Sequence, residues 1–261
     1  MRVPMYQVDA FADTAFNGNP AAVVLLEEEL PAAVMQAIAA ENNQSETAFV
    51  LGANGTRTIR WFTPIIEVDL CGHGTLAAGH VLFSTDRHDN EHVEFTSKSG
   101  PLSVTRTAHC LWLDFPADIL TQANDLRPML SEALGAPVQS VLHGRTDLLA
   151  ILPDADTVAR LHPDMSMLAQ IDCRGVIASA RGDDCDFVSR FFAPSCGIPE
   201  DPVTGSAHTS LAPYWYDVLG KRELHARQLS PRQGVLRCRC QDDRVHIGGQ
   251  AVTYLEGMIT I

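Results

Sequence analysis

The chain has no apolar run approaching the ~20 residues that a membrane-crossing helix requires, which excludes a helical span. It is also short of positive charge. Lys and Arg number 19 against 32 Asp and Glu, for a formal net charge of −13, and no basic cluster or stripe offsets the deficit. That balance speaks against a nucleic-acid-binding surface. Low-complexity segments and long linkers are lacking too. The N-terminal Met1 to Phe11 stretch reads directly as a strand rather than a signal peptide, which places the expected location in the cytoplasm. Cysteine is present but unpatterned: seven residues, an odd number, scattered along the chain. With no export signal, reduced thiols are expected rather than a disulfide framework. Cys238 and Cys240 share one side of a strand, but no second Cys/His pair at ligand spacing completes a zinc site.

What is present is a repeat. Arg60-Trp-Phe-Thr-Pro64 is answered 130 positions later by Arg190-Phe-Phe-Ala-Pro194. Cys71-Gly-His-Gly-Thr75 is answered by Thr204-Gly-Ser-Ala-His208, and acidic loops precede both, with Glu67 and Asp69 in one and Glu200 and Asp201 in the other. Each copy reads as a β-rich run ending at Pro, a loop, and a Gly-containing turn opening a helix of small residues. Two like halves should bring the two loops to a shared seam. Gly72, Gly74 and Gly205 leave backbone N–H groups uncovered at helix starts, where the dipole is positive, and two such ends would form a receptor for a carboxylate.

Strands are expected at 6–11, 21–26, 47–51, 58–62, 93–96, 102–105 and 110–115, with an Asn54-Gly55 hairpin and a turn at 99–101. Helices are expected from Pro31 to Asn42 and from Gly74 to Phe83. The second half adds helices at 126–134, 155–170 and 206–219, the last kinked at Pro213. Its strands fall at 140–142, 148–152, 175–178, 187–192, 235–238 and 245–247, and after Gly248-Gly249 at 251–255 and 258–261. Strands outnumber helices and short turns join most of them. That pattern favours an α+β fold with mostly antiparallel sheets over a doubly wound nucleotide-binding fold. The lobes are expected at 1–117 and 118–248, with closing strands at 249–261 that return to the N-terminal lobe.

Seven landmarks in order resemble the PhzF family, the phenazine-biosynthesis-like isomerases of diaminopimelate epimerase-like fold. They are Val8-Asp-Ala-Phe11, Phe16-Asn-Gly-Asn-Pro20, Gln44-Ser-Glu-Thr-Ala-Phe49, Arg60-Trp-Phe-Thr-Pro64, Cys71-Gly-His73, Glu200-Asp-Pro-Val-Thr-Gly-Ser-Ala-His208 and Gly248-Gly249. The resemblance implies two pseudo-symmetric lobes, each a curled sheet wrapped around a central helix, with the site in the cleft between them. It implies a biosynthetic type of isomerase with no metal and no organic cofactor, acting on a small carboxylate-bearing molecule. A homodimer is the assembly entertained. Glu46 matches the family's general acid/base. His73 and Asp201 match substrate-facing catalytic groups, Ser206 a substrate-facing polar group, and Ser45, Gly72 and Gly205 further substrate contacts. Gly74 departs from the family, many of whose members carry Ala there.

The residues themselves carry part of this. Glu46 stands between Ser45 and the apolar run Thr47-Ala-Phe-Val50, where an ordinary surface carboxylate is not needed. A half-buried carboxylate there suits lifting a proton from carbon. Asp201 lies in Pro199-Glu-Asp-Pro202, read as a rigid turn; Glu200 reads as a solvated acid, and Ser206 as a cap on the second central helix. His80 and His208 read as packed or hydrogen-bonded helix residues. Racemases of this fold face two cysteines across the seam. Here Thr204 answers Cys71, and a threonine hydroxyl cannot serve as the opposing base, so Cys71 reads as a packing residue. Two other readings stay open: an amino-acid racemase or epimerase using Cys71, and a non-catalytic binding protein.

Overall fold

The computed structural model describes residues 1–52, 57–85, 87 and 90–261. Asn54-Gly55 lies outside the described residues. The chain divides into two compact units, one of Met1–Asp114 with Gly248–Ile261 and one of Phe115–Ile247.

In chain order the first unit contains β1 (Arg2–Ala10), β2 (Asn19–Leu26), α1 (Ala32–Asn42), β3 (Glu46–Leu51), β4 (Arg57–Phe62), β5 (Glu67–Val68), α2 (Gly72–Ser84), β6 (His92–Ser97) and β7 (Gly100–Arg106), with β8 (Leu111–Pro116) running to its boundary. The second contains β9 (Thr121–Gln122), α3 (Arg127–Leu134), β10 (Ser140–His143), β11 (Asp147–Ile151), α4 (Ala155–Ala159), α5 (Met165–Leu168), β12 (Gly175–Arg181), β13 (Phe187–Ala193), β14 (Ile198–Asp201), α6 (His208–Leu219), β15 (Glu223–Gln228) and β16 (Gly234–Gln241). After β17 (Arg244–Gly249), β18 (Ala251–Thr260) lies antiparallel along β1. The fold is α+β, with mostly antiparallel curled sheets.

The repeat is a repeat of strand pairing. In the first unit β1 and β2 are antiparallel, β2 and β3 parallel, β3 and β4 antiparallel, β4 and β6 parallel, and β6 and β7 antiparallel. In the second, β10 to β11, β11 to β12, β12 to β13, β13 to β15 and β15 to β16 follow the same succession. The two matching arginines do the same task. Arg60 Nε and Nη2 reach Glu67 Oε1 and Oε2 at 2.8 and 3.0 Å; Arg190 Nε and Nη2 reach Glu200 Oε1 and Oε2 at 2.7 and 2.8 Å. Each bidentate pair clasps a strand to the acidic loop ahead of a helix. Glu200 is therefore a paired, mostly buried carboxylate rather than a solvated one.

α2 is buried almost all round, because its small residues let strands come close. A Cβ on Gly79 would stand 2.7 Å from Val104 on β7, so only glycine permits that approach. Near α1, Val24, Met35, Ile38, Phe49 and Phe62 form a continuous core. In the second unit Leu130, Val141, Val158, Leu168 and Phe192 do likewise.

Several boundaries differ from expectation. The 155–170 stretch is two short helices, broken where Pro163 lacks a donor and capped separately by Asp154 and Asp164. The first hairpin after α2 turns at Lys98-Ser99, with Gly100 and Pro101 already paired to β6. β18 runs unbroken through Gly257, which meets only distant side-chain atoms. Glu223–Gln228 is a strand the pattern did not announce. α6 starts at His208, after a tighter turn in which His208, Thr209 and Ser210 N–H groups bond three residues back.

Candidate active site

Glu46 is the first residue of β3, held in parallel register opposite Ala21 of β2. His73 is the second residue of α2. Both side chains are largely buried, at 13% and 7% exposure, and His73 Nε2 lies 3.0 Å from Glu46 Oε2. That is hydrogen-bond distance, yet Oε2 has no aligned donor. Even so, hydrogen bonding with Glu46 is among the influences that raise His73, so the contact is a close but poorly aligned hydrogen-bonded pair.

Two further residues frame the imidazole. Asn19 opens β2 and is fully buried, and its Nδ2 lies 3.3 Å from His73 Nδ1. Cys71 is the N-cap of α2. Its Sγ accepts from Gly74 N–H at 3.3 Å and lies 3.6 Å from His73 Nδ1 and 3.8 Å from Nε2. Cys71 thus caps a helix and touches the candidate histidine, more than the packing role expected of it. The departure at Gly74 also acquires a reason. A Cβ there would stand 2.9 Å from Cys71 Sγ and 3.0 Å from the Trp61 ring, so glycine leaves room for the thiol and the indole. Trp61 Nε1 is itself buried without an acceptor.

Burial works against the His73 imidazolium, but its contacts with Cys71 and Glu46 work the other way and carry the group well above the ordinary histidine range. Burial, reinforced by Glu46, pushes the Cys71 thiol up. His73 is therefore held as the imidazolium beside the Glu46 carboxyl group. Glu46, Cys71 and His73 are also the group, among the described residues, whose ligating atoms lie mutually within 4.8 Å, close enough to hold a metal ion.

The second unit assembles a separate set. Asp201 ends β14, paired to Phe191, so a strand end rather than a proline turn fixes it. Thr204 Oγ1 donates to Asp201 Oδ2 at 2.5 Å, and Gln228 Nε2 donates to Asp201 O at 2.8 Å. Gln228 Oε1 accepts from Thr204 N–H at 2.8 Å. His208 is held down to about 4 by burial, against the Thr204 carbonyl 2.8 Å from its Nδ1, so it is neutral and donates through Nδ1–H. Ser206 does not cap α6; its Oγ accepts from Arg174 Nη2 at 3.0 Å. Arg174 is fixed in turn by bidentate pairing with buried Asp147. The sequence carried no signal for it, since Asp172-Cys-Arg-Gly175 matches no motif. Ser45 and Gly72 flank Glu46 and His73 and are partly exposed, whereas Gly205 is buried between Thr204 and Ser206. The structure therefore brings Glu46, Cys71, His73 and Asn19 together in one unit, and Asp201, Thr204, Ser206 and Arg174 in the other.

The repeated α+β units with curled, mostly antiparallel sheets are a diaminopimelate epimerase-like fold, and the relatives that share it are named isomerases and epimerases. Residues 8–257 match the family model of phenazine biosynthesis-like proteins, and the chain belongs to the PhzF family. An uncharacterised isomerase of Pseudomonas aeruginosa is 48% identical over 261 residues, covering 100% of both chains. The crystal structure of a PhzF-family protein from Enterococcus faecalis superposes with a TM-score of 0.97 at 48% identity, covering 100% of each. A predicted epimerase from Pseudomonas aeruginosa shares the fold, with a TM-score of 0.79 at 22% identity over 99% of each chain. No helix among the described residues is long and apolar enough to cross a membrane.

Proposed function

We propose that this isomerase moves a proton between carbons of a small carboxylate-bearing metabolite without a cofactor, with Glu46 as the single acid/base. The observation that carries the reading is the buried Glu46 Oε2 beside His73 Nε2, with no aligned donor on it. A carboxylate able to take a proton from carbon must be dry, close and held still. β3 fixes its backbone, and His73 offsets the charge through a contact poorly aligned on the oxygen that must accept. When the proton arrives, Glu46 becomes neutral, and the His73 imidazolium is freed to stabilise the enolate that forms. The same carboxyl then returns the proton to a second carbon. Asp201, Ser206 and Gly205, with Ser45 and Gly72, are proposed as the groups that bind and orient the substrate. The setting we propose is the cytoplasm, with a homodimer as the assembly to check by sedimentation.

A second reading, a two-base racemase using Cys71, draws on the thiol lying 3.6 Å from His73 Nδ1. It is the weaker one. Cys71 Sγ is engaged by the Gly74 N–H, and the answering Thr204 hydroxyl donates to Asp201.

The test is solvent exchange. Purified enzyme in deuterated water, offered a panel of small unsaturated and α-substituted carboxylates, should wash deuterium into a carbon position of the accepted one, read by NMR. Glu46→Gln keeps shape but cannot accept a proton, and should lose at least about a thousandfold in rate, or ~4 kcal/mol of barrier. Near-full exchange by Glu46→Gln would overturn the assignment.

A further inference from the structure

Glu46, Cys71 and His73 are a carboxylate, a thiol and an imidazole, the three donor types that zinc-class ions take, drawn from two elements with ligating atoms within 4.8 Å of one another. Cys71 Sγ now lies beside the ring, 3.6 Å from Nδ1, so sharing an ion on Nε2 asks the thiol to turn towards that edge. Cys71 Sγ to His73 Nε2 is 3.8 Å and His73 Nε2 to Glu46 Oε2 is 3.0 Å. Bonds of about 2.3 Å to sulfur and about 2.0 Å to nitrogen and oxygen, near tetrahedral, would span roughly 3.3–3.6 Å between ligands. Glu46 Oε2 is buried with no aligned donor, so it can take a cation without breaking a directed hydrogen bond. On the far side of the ring, the Asn19 side-chain amide sits 3.3 Å from Nδ1; with its oxygen turned to the ring it would accept from the Nδ1–H of a metal-bound imidazole.

We propose that this trio is a binding site for a thiophilic divalent cation of the zinc class, and that the ion acts as an inhibitor rather than a cofactor. Binding takes the thiol proton and the imidazolium proton away to solvent, leaving thiolate, neutral imidazole and carboxylate on the ion. Two negative ligands then match two positive charges. Three protein ligands leave a fourth position for water or a substrate carboxylate. The ion occupies the lone pair that Glu46 would use as base and removes the positive charge of His73. The inhibitory consequence rests on the proton-transfer reading above; the binding site does not.

The test uses full-length protein stripped with chelator, with Co²⁺ alone and then Zn²⁺ alone as probes. One Co²⁺ per chain should bind with a sulfur-to-cobalt charge-transfer band, and Zn²⁺ should displace it stoichiometrically. Cys71→Ser should abolish that band and weaken binding at least about tenfold; serine is a better N-cap than cysteine, so the helix start is retained. Glu46→Gln should keep the band but bind more weakly. Cys196→Ser, which removes an exposed thiol, should change neither. A band that survives in Cys71→Ser, or no sulfur-ligated cobalt in the wild type, overturns the site and leaves the proton-transfer reading standing. Zn²⁺ that binds through Cys71 without stopping deuterium wash-in overturns the inhibitory role. Should Cys71→Ser fail to fold, His73→Gln read by the same spectrum decides the matter: an unchanged cobalt spectrum and affinity would overturn the site.

Discussion

Asn19 Nδ2 lies 3.3 Å from His73 Nδ1, on the side of the ring away from Glu46. The two residues come from β2 and α2, and both are buried. Against an imidazolium, whose Nδ1–H donates, the amide oxygen is the atom that must face the ring, and turned so Asn19 fixes the ring plane and with it the aim of Nε2 towards Glu46.

Replacing Asn19 with Ala should therefore act on the histidine first. It leaves Nδ1 without its partner in a buried setting, a loss of about 1–3 kcal/mol in unfolding free energy. Urea denaturation would measure that cost. The ring-nitrogen NMR shifts of His73 should change in the same variant, a response that loss of packing alone would not give. Unchanged ring shifts would mean Asn19 is a turn residue and no more.

A second expectation concerns acid. Hydrogen bonding to Arg60, against the opposing effect of burial and with help from Lys98, holds Glu67 down to about 2. Its folded pKa is depressed, so its stabilisation is present above the ordinary carboxylate range and is lost as pH falls from about 4.5 to about 2. Burial holds neutral His208 at about 4, so the unfolded chain binds its proton first. That contribution is complete above about 6.5 and is lost between there and about 4. Each should be worth up to about 3 kcal/mol. Urea midpoints across pH should fall in two limbs. Arg60→Met should flatten the lower limb and His208→Gln the upper one; a limb that persists in its own variant would refute that assignment.

How far the sequence could be read follows from what kind of signal each feature leaves. The start of α2 and the Arg60 and Arg190 strands were legible because glycine turns and a repeated five-residue run are local. The fold class followed from many short strands, and the PhzF resemblance from ordered landmarks. The candidate groups Glu46 and His73 could be named, but not their 3.0 Å contact, because nothing in a chain reports which side chains meet across 27 positions. Local rules misled where tertiary packing overrode them. Glu223–Gln228 alternates strictly but turns only Leu224, Ala226 and the polar Gln228 inward, a face of low apolar content, yet it completes the ladder between β13 and β16. Pro213 sits inside α6 without ending it, as the sequence reading had it, whereas Pro163 breaks a stretch read as one helix. Glu200 looked solvated because its partner Arg190 stands ten residues away on another strand.

The last prediction concerns Arg174, which no motif announced. Its guanidinium grips Asp147 with Nε and Nη2 and donates from Nη2 to Ser206 Oγ. With that lone pair of Ser206 engaged, the serine's own hydrogen is free to donate outward, as a substrate-binding hydroxyl should. Two effects of removing Arg174 must be kept apart, because Asp147 is only 4% exposed and would be left charged and unpaired. Arg174→Met alone should lose about 3–5 kcal/mol of stability for that reason. The double variant Arg174→Met with Asp147→Leu removes both charges and should recover most of the loss, as read by urea denaturation. Ser206 is unsupported in both variants, so deuterium wash-in should remain depressed in the double variant despite its recovered stability. If stability and wash-in recover together, Arg174 serves only to neutralise Asp147. If stability returns and exchange does not, Arg174 positions Ser206.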